Sequence, residues 1–164
     1  MIEIYTDGSS KGNPGSGGFG VVVLNGKIID YTHSEKFNNI TNNQMELKAI
    51  IHAIELTETL YKDEECIIYC DSAYCVNICN EWIYTWARNG WKNSKKEEVK
   101  NIELIKELYK LLIREFPNYT IEKCHGHIGN IGNELADAAA TNNQAKFIKL
   151  KQKNDMKFKY ETII

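Results

Sequence analysis

Two aspartates stand where a sheet places reactive groups. Asp7 and Asp71 each follow a short β-rich run, so we expect both at the carboxyl ends of strands, where open α/β sheets carry their sites. Each residue alone has an ordinary alternative, because an aspartate also suits a turn, as at Asp7, or a helix cap, as at Asp71. Their combination with further acids is what indicates chemistry.

Two further acids lie on helical segments whose neighbours are apolar. Glu46 lies between Met45 and Leu47, and Asp137 interrupts a run of small apolar residues from 135 to 140. A carboxylate turned toward apolar surroundings is costly unless a cation or hydrogen bonds compensate it, and neither segment offers a basic partner on that side. Four acids on four elements predict a multivalent hard cation, and Mg²⁺, which takes oxygen ligands, fits best.

The elements that must position these acids follow a mixed pattern. Strands are predicted over 2–6, 19–24, 66–70 and 119–123, and Asn25-Gly26 predicts a hairpin turn into a further strand. Apolar residues recur at helical spacing over 43–61, 98–114 and 133–141. An antiparallel meander, followed by strands that alternate with helices, predicts an α/β fold with a five-stranded mixed sheet flanked by helices.

The length of 164 residues limits the number of domains, and the formal net charge of −2 limits the kinds of partner. That length predicts one domain, and the charge argues against a wholly basic nucleic-acid binder, so contacts with phosphate need a local patch. The N-terminal residues show no basic region followed by an apolar core, and no apolar run approaches about 20 residues. We expect a soluble, cytoplasmic protein without membrane contact.

Two patterns that imitate functional motifs have ordinary explanations. Cys70, Cys75 and Cys79 could be read as thiolate metal ligands, but cysteine is more often buried as a small hydrophobe, and five cysteines without a secretory signal suit a reducing compartment. Residues 15–20 satisfy GxGxxG, yet they lead into a strand rather than a helix. We therefore interpret these glycines as turn residues of a hairpin loop.

The C-terminal segment differs in composition from the rest of the chain. After residue 142, six lysines face only two acids. We assign residues 1–142 to the catalytic domain and residues 143–164 to a basic extension that is partly ordered at best. The alternative is an auxiliary contact with nucleic acid or a partner, since Met156, Phe158 and Tyr160 alternate with charges as in an edge strand.

Several short motifs resemble type 1 ribonuclease H in its bacterial form. They are Thr6-Asp7-Gly8-Ser9, Gly12-Asn13-Pro14-Gly15, Thr41-Asn42-Asn43-Gln44-Met45-Glu46-Leu47, Cys70-Asp71-Ser72, and Gly126-His127 with Asn133-Glu134-Leu135-Ala136-Asp137. The resemblance runs from about Ile2 to Ala140. It implies an RNase H-like fold and a monomeric endonuclease that hydrolyses the RNA strand of RNA/DNA hybrids. The products would carry 5′-phosphate and 3′-hydroxyl ends.

The resemblance also assigns roles to the site residues. The four carboxylates Asp7, Glu46, Asp71 and Asp137 would hold two Mg²⁺ ions, with Mn²⁺ as a substitute. His127 matches the family's mobile catalytic histidine, whereas the neighbouring His125 is expected to be structural. For the hybrid, the matching positions are Asn13, Asn42 and Asn43 on the RNA side, Thr41 and Asn101 at a DNA phosphate, and Trp82, Trp86 and Lys92 in a basic protrusion.

Two departures from the family pattern bear on substrate binding. The protrusion, residues 82–92, carries fewer lysines before Gly90 than bacterial forms do, which predicts weaker or more salt-sensitive hybrid binding. Ala73 stands where bacterial forms place a base-contacting glutamine. The competing interpretations are another nuclease of the same fold class, such as an integrase or junction resolvase, and a non-catalytic module that binds hybrids.

Overall fold

The computed structural model describes residues 1–125 and 129–159, which form one mixed β-sheet with helices on its faces. The strands are β1 (Ile2–Ser10), β2 (Gly15–Asn25), β3 (Ile28–Ile40), β4 (Cys66–Cys70), β5 (Tyr119–Lys123) and β6 (Lys157–Phe158). The helices are α1 (Asn42–Glu58), α2 (Ala73–Asn77), α3 (Ile83–Arg88), α4 (Ile102–Leu112), α5 (Ile131–Ala140) and α6 (Gln144–Lys153). A π-helical turn, Ile78–Trp82, joins α2 to α3.

The strand order is β5-β4-β1-β2-β3-β6. The meander β1-β2-β3 is antiparallel, whereas β4 runs parallel to β1 and β5 parallel to β4. The predicted five-stranded mixed sheet is therefore confirmed. The short β6 adds a sixth strand, because it pairs parallel with the first residues of β3.

Both faces of β2 are buried from Gly18 to Leu24. Val21 and Val23 belong to the main core with α1, whereas Val22 and Leu24 belong to a second cluster on the opposite face. Successive side chains of a strand point to opposite faces, so a strand covered on both sides is a continuous apolar run. Helix α1 covers one face, and α5 and α6 contribute Leu135 and other apolar side chains to the other.

The interpretation of the glycine segment as a hairpin turn is wrong. Gly15 to Gly20 lie in β2, and Gly18 and Gly20 are needed for packing rather than for a turn conformation. A Cβ at Gly20 would stand 2.6 Å from the Cβ of Ala139, and one at Gly18 would stand 2.8 Å from the carbonyl oxygen of Ala140. These glycines therefore let α5 lie directly on the sheet.

Helix α4 begins four residues later than its apolar periodicity predicts. Asn101 has φ of 58°, a left-handed conformation that a helix interior does not accommodate, and the helix begins at Ile102. Before it, Lys92 and Glu98 form an isolated antiparallel bridge. Residues 98–101 therefore belong to the loop after α3.

Residues 143–159 fold back onto the sheet as α6 and β6. Phe147, Leu150 and Phe158 pack against the second core cluster, and Met156 is part of it. The division of the chain at residue 142 stays a prediction, and Tyr160 lies outside the described residues. Among residues 1–125 and 129–159, no helix combines the length and apolar character needed to cross a membrane.

Candidate active site

Asp7 and Asp71 lie side by side because their strands are parallel neighbours. Thr6 of β1 is in register with Cys70 of β4, so the residues that follow them, Asp7 and Asp71, lie at the same level of the sheet. Asp71 follows the end of β4 as expected, but the expectation that Asp7 ends its strand is wrong, because β1 continues to Ser10. Both ordinary alternatives are wrong. Asp7 pairs with Gly20 inside β1 rather than in a turn, and the N-cap of α2 is Ser72, whose hydroxyl accepts a hydrogen bond from the Cys75 amide.

Glu46 reaches these aspartates because α1 crosses β1 at a glycine. A Cβ at Gly8 would stand 2.7 Å from the Cβ of Met45 and closer still to the α1 backbone. The Gly8 amide donates a hydrogen bond to Glu46 Oε1 at 2.9 Å, and the Cys70 thiol donates one to Glu46 Oε2 at 3.2 Å. Both carboxylate oxygens are thus fixed from β1 and β4.

Asp137 is carried over the sheet by α5, whose small residues allow the close approach that the sequence predicted. Gly132 faces the ring of Tyr5 so closely that a Cβ would collide with it, and Ala136 lies over Gly20. The expectation that Asp137 has no basic partner is wrong, because Lys146 Nζ lies 2.6 Å from Asp137 Oδ2. The sequence could not show this, since the lysine belongs to the next helix.

The electrostatics of the site are those of crowded carboxylates. Asp7 and Glu46 are each only 6% exposed. Burial first, and then the Glu46 carboxylate, raises the pKa of Asp7 to about 10, with further contributions from Asp71 and Asp137. Burial and the charge of Asp71 likewise raise the pKa of Glu46, although hydrogen bonding to Asp7 lowers it.

The chemistry of these donors fits hard divalent cations. Burial also raises the pKa of Asp71, with a contribution from the charge of Asp137. Carboxylate oxygens of Glu46 and Asp71 lie within 4.8 Å of each other, close enough to share an ion. In the described part of the chain, no Lys or Arg forms an ion pair with Asp7, Glu46 or Asp71. A divalent cation would supply the missing positive charge and favour ionised carboxylates.

Of the two histidines that the sequence analysis considered, only His125 belongs to the described residues. His127, the predicted catalytic histidine, lies outside the described residues. His125 is exposed, and its carbonyl oxygen accepts a hydrogen bond from the Asn130 side chain at 3.2 Å. Because Asn130 also caps α5, this contact ties the loop after β5 to the helix that carries Asp137.

The predicted RNA-side asparagines meet at the end of β1. Asn42 Oδ1 accepts a hydrogen bond from the Ser10 amide at 2.6 Å, and Asn13 Oδ1 accepts one from the Asn42 amide at 3.0 Å. Asn43, the next residue of α1, is exposed. The structure therefore brings Asn13 and Asn42 together through their side-chain oxygens, which also accept hydrogen bonds from the Ser10 hydroxyl.

Thr41 and Asn101, the predicted phosphate pair, are linked by a residue that the sequence interpretation missed. Thr41 caps α1 in a capping box with Gln44. The side-chain Nε2 of Gln44 also donates to Asn101 Oδ1 at 3.1 Å. The S/T-x-x-Q spacing of Thr41 and Gln44 could have revealed the cap, but the contact with Asn101 spans 57 residues of sequence.

The predicted protrusion is a helical arm in which Trp82 is exposed, whereas Trp86 is partly buried against the main core. The Trp82 ring lies 6.2 Å from that of Trp86 and 5.6 Å from that of Tyr74. Trp91 instead packs edge-on against Tyr109 at 5.3 Å. Lys92 is exposed. Trp82 is thus available at the surface, whereas Trp91 joins the arm to α4.

Comparison with known proteins agrees with this geometry. An RNase H family model matches residues 1–145. The ribonuclease H of Legionella pneumophila (strain Lens) is 46% identical over 140 residues, which are 85% of this chain and 93% of that protein. The ribonuclease H of Orientia tsutsugamushi (strain Boryong) is 38% identical over 159 residues, 94% of this chain and 88% of that protein. The chain belongs to the RNase H family.

Solved structures place this RNase H family member in the same fold. The PFV RNase H domain superposes with a TM-score of 0.72 and 28% identity, covering 86% of this chain and 92% of that one. LC11-RNase H1 in complex with an RNA/DNA hybrid superposes with a TM-score of 0.63 and 26% identity, covering 90% and 99%. The expectation of an RNase H-like fold is confirmed.

Proposed function

We propose that this RNase H family member hydrolyses the RNA strand of RNA/DNA hybrids with two divalent ions, leaving 5′-phosphate and 3′-hydroxyl ends. The observation that carries the proposal is the burial of Asp7 and Glu46 against Asp71. Such acids repel one another and retain protons unless cations neutralise them. Mg²⁺ is the proposed ion, with Mn²⁺ as its substitute.

Each proposed ion ligand is positioned by a particular strand, helix or hydrogen bond. Asp7 and Asp71 come from adjacent parallel strands, Glu46 is held by Gly8 and Cys70, and Asp137 comes from α5. When bound, the ions supply Lewis acidity that activates the attacking water and stabilises the leaving 3′ oxygen. The fixed Glu46 oxygens keep the donor positions from rearranging, which is the role of preorganisation. We assign proton transfer near the leaving group to His127.

Two groups of residues suit the two strands of a hybrid. The RNA strand would lie along Asn13, Asn42 and Asn43, whose amides both donate and accept hydrogen bonds and can read a 2′-hydroxyl. The DNA strand would lie on the N-terminus of α1 at Thr41, beside Asn101, where helix amides attract phosphate. Trp82, Trp86 and Lys92 would contact the same DNA strand further along. LC11-RNase H1 has been solved with such a hybrid.

The test is cleavage of a hybrid whose RNA strand is labelled, over a titration of Mg²⁺ and of Mn²⁺. We expect ion-dependent cutting of that RNA and little cutting of single-stranded RNA or duplex DNA. Asp7→Asn should lower turnover by orders of magnitude while the protein stays folded. Asp63→Asn, which removes an exposed acid in the turn after α1, is the matched control and should keep wild-type turnover.

A non-catalytic module that binds hybrids is the competing function. It predicts that the hybrid is bound, for example in a gel-shift assay, but remains uncut at every ion concentration. Near-wild-type cleavage by Asp7→Asn would instead show that the ion site is wrongly assigned. The cytoplasmic location and the monomeric state remain predictions, and sedimentation of the purified protein tests the latter.

A further inference from the structure

Lys146 contacts the acidic site from just beyond the range of the family match. That match ends at residue 145, and Lys146 is the third residue of α6. Its Nζ lies 2.6 Å from Asp137 Oδ2, with both side chains about two-fifths exposed, at 37% and 42%. The contact therefore joins one of the four proposed ion ligands to a lysine of α6, which begins at Gln144.

The turn between α5 and α6 holds Lys146 in this position. The Asn143 amide donates to the carbonyl oxygen of Ala138 at 2.8 Å, and the Asn143 side chain caps α6 by accepting from the Lys146 amide at 3.1 Å. Phe147, the next residue, packs against the second core cluster. Because the turn is capped and α6 is anchored on the core, Lys146 is held near Asp137, and the contact does not have to fix an otherwise flexible segment.

Lys146 places a positive charge beside the acids at which divalent ions would bind. Asp137 lies near enough to Asp7 and Asp71 for its charge to raise the pKa of both. Asp137 Oδ2, the oxygen that Lys146 contacts, is one of the two oxygens with which that residue could bind an ion. An ammonium group at hydrogen-bond distance blocks this oxygen, and it repels a divalent cation placed beside it.

We propose that Lys146 is an internal cation that competes with a divalent ion for Asp137, and so sets the ion concentration at which the site fills. The inference rests on the proposed ion site, and it adds a residue that regulates its occupancy. In the absence of the ion, Lys146 neutralises Asp137 and reduces repulsion within the cluster. When an ion binds, Lys146 must leave Oδ2, which its exposed position allows.

The experiment measures Mn²⁺ binding to the whole protein without nucleic acid, by electron paramagnetic resonance of the free ion at constant ionic strength. Lys146→Met should lower the dissociation constant of the most affected ion by about two- to fivefold, the factor that an exposed ion pair is worth. Lys146→Arg keeps the competing charge and should stay close to wild type. Lys149→Met, which removes an exposed lysine one turn further along α6, is the matched control for net charge.

A second measurement follows catalysis. The Mg²⁺ concentration for half-maximal cleavage should fall in Lys146→Met by the same factor as the dissociation constant, and stay unchanged in Lys149→Met. Circular dichroism checks that each variant is folded, and Lys146→Gln replaces Lys146→Met if the latter is not.

The outcomes separate this inference from the proposed function. Equal or weaker Mn²⁺ binding by Lys146→Met, or an equal gain in Lys149→Met, would overturn the role of Lys146 while leaving the ion site intact. A wild-type protein that binds no Mn²⁺ would overturn both. Tighter binding in Lys146→Met alone, with Lys146→Arg unchanged, is the result that we expect.

Discussion

The substitution Gly8→Ala tests how closely α1 must lie on β1 for Glu46 to reach the site. The added Cβ would stand 2.7 Å from the Cβ of Met45, whereas carbon atoms in contact prefer about 3.5 Å or more. Helix α1 would therefore have to move away from β1 by about 1 Å. A misplacement of about 1 Å at reacting groups can cost about 100-fold in rate, and overpacking costs about 1–3 kcal/mol of stability.

The assay combines the turnover number on a labelled hybrid with the free energy of unfolding from urea titration. Gly26→Ala is the matched control, because Gly26 has φ of +62° in the β2–β3 turn and nothing lies near its added Cβ. That control should lose about 1 kcal/mol through backbone strain but keep its turnover. If Gly8→Ala kept near-wild-type turnover, the close crossing of α1 over β1 would not be what positions Glu46.

Substitutions at Cys70, Asp7 and Ala73 test the ion ligands and substrate binding. Cys70→Val removes the donor to Glu46 Oε2 and should lower kcat/KM by up to about tenfold, whereas Cys70→Ser keeps a donor and should stay closer to wild type. In EDTA, the free energy of unfolding should fall as pH rises between the unfolded pKa of Asp7, 3.8, and its folded value of about 10, because only the folded protein retains that proton. Asp7→Asn should flatten this dependence in urea titrations at pH 5.5 and 8.5, and an unchanged slope would refute the assignment. Ala73→Gln, at an exposed position, should lower the KM for hybrid by about threefold or more if a glutamine there contacts a base.

The sequence was most informative where it places a carboxylate among apolar residues. Glu46 is a buried acid among apolar neighbours, and that conflict, together with the other three acids, indicated an ion. Asp137 shows less of this conflict than the sequence predicted, because its side chain is 42% exposed and pairs with Lys146. The strands and helices around these acids followed from periodicity, because alternation and helical spacing are local properties. Asp7 and Asp71 depended more on the resemblance, since an isolated aspartate after a strand also suits a turn or a cap.

The features that the sequence did not reveal depend on contacts between distant segments. Gly18 and Gly20 read as turn residues, yet they make room for α5, which approaches β2 from more than 110 residues further along the chain. The lysine on Asp137 comes from the following helix, so no pattern around Asp137 could show it. Asn101 delays the start of α4 through its left-handed backbone, which apolar spacing does not encode.

The most direct test of the central claim is the chemistry of the cut itself. Cleavage of a hybrid under single-turnover conditions, with and without Mg²⁺, can be followed by mass spectrometry of the RNA fragments. We predict fragments with 5′-phosphate and 3′-hydroxyl ends that form only when Mg²⁺ is present, and that Asp71→Asn does not produce. Fragments with 2′,3′-cyclic phosphate ends, or cleavage that persists in EDTA, would contradict hydrolysis by divalent ions at these four carboxylates.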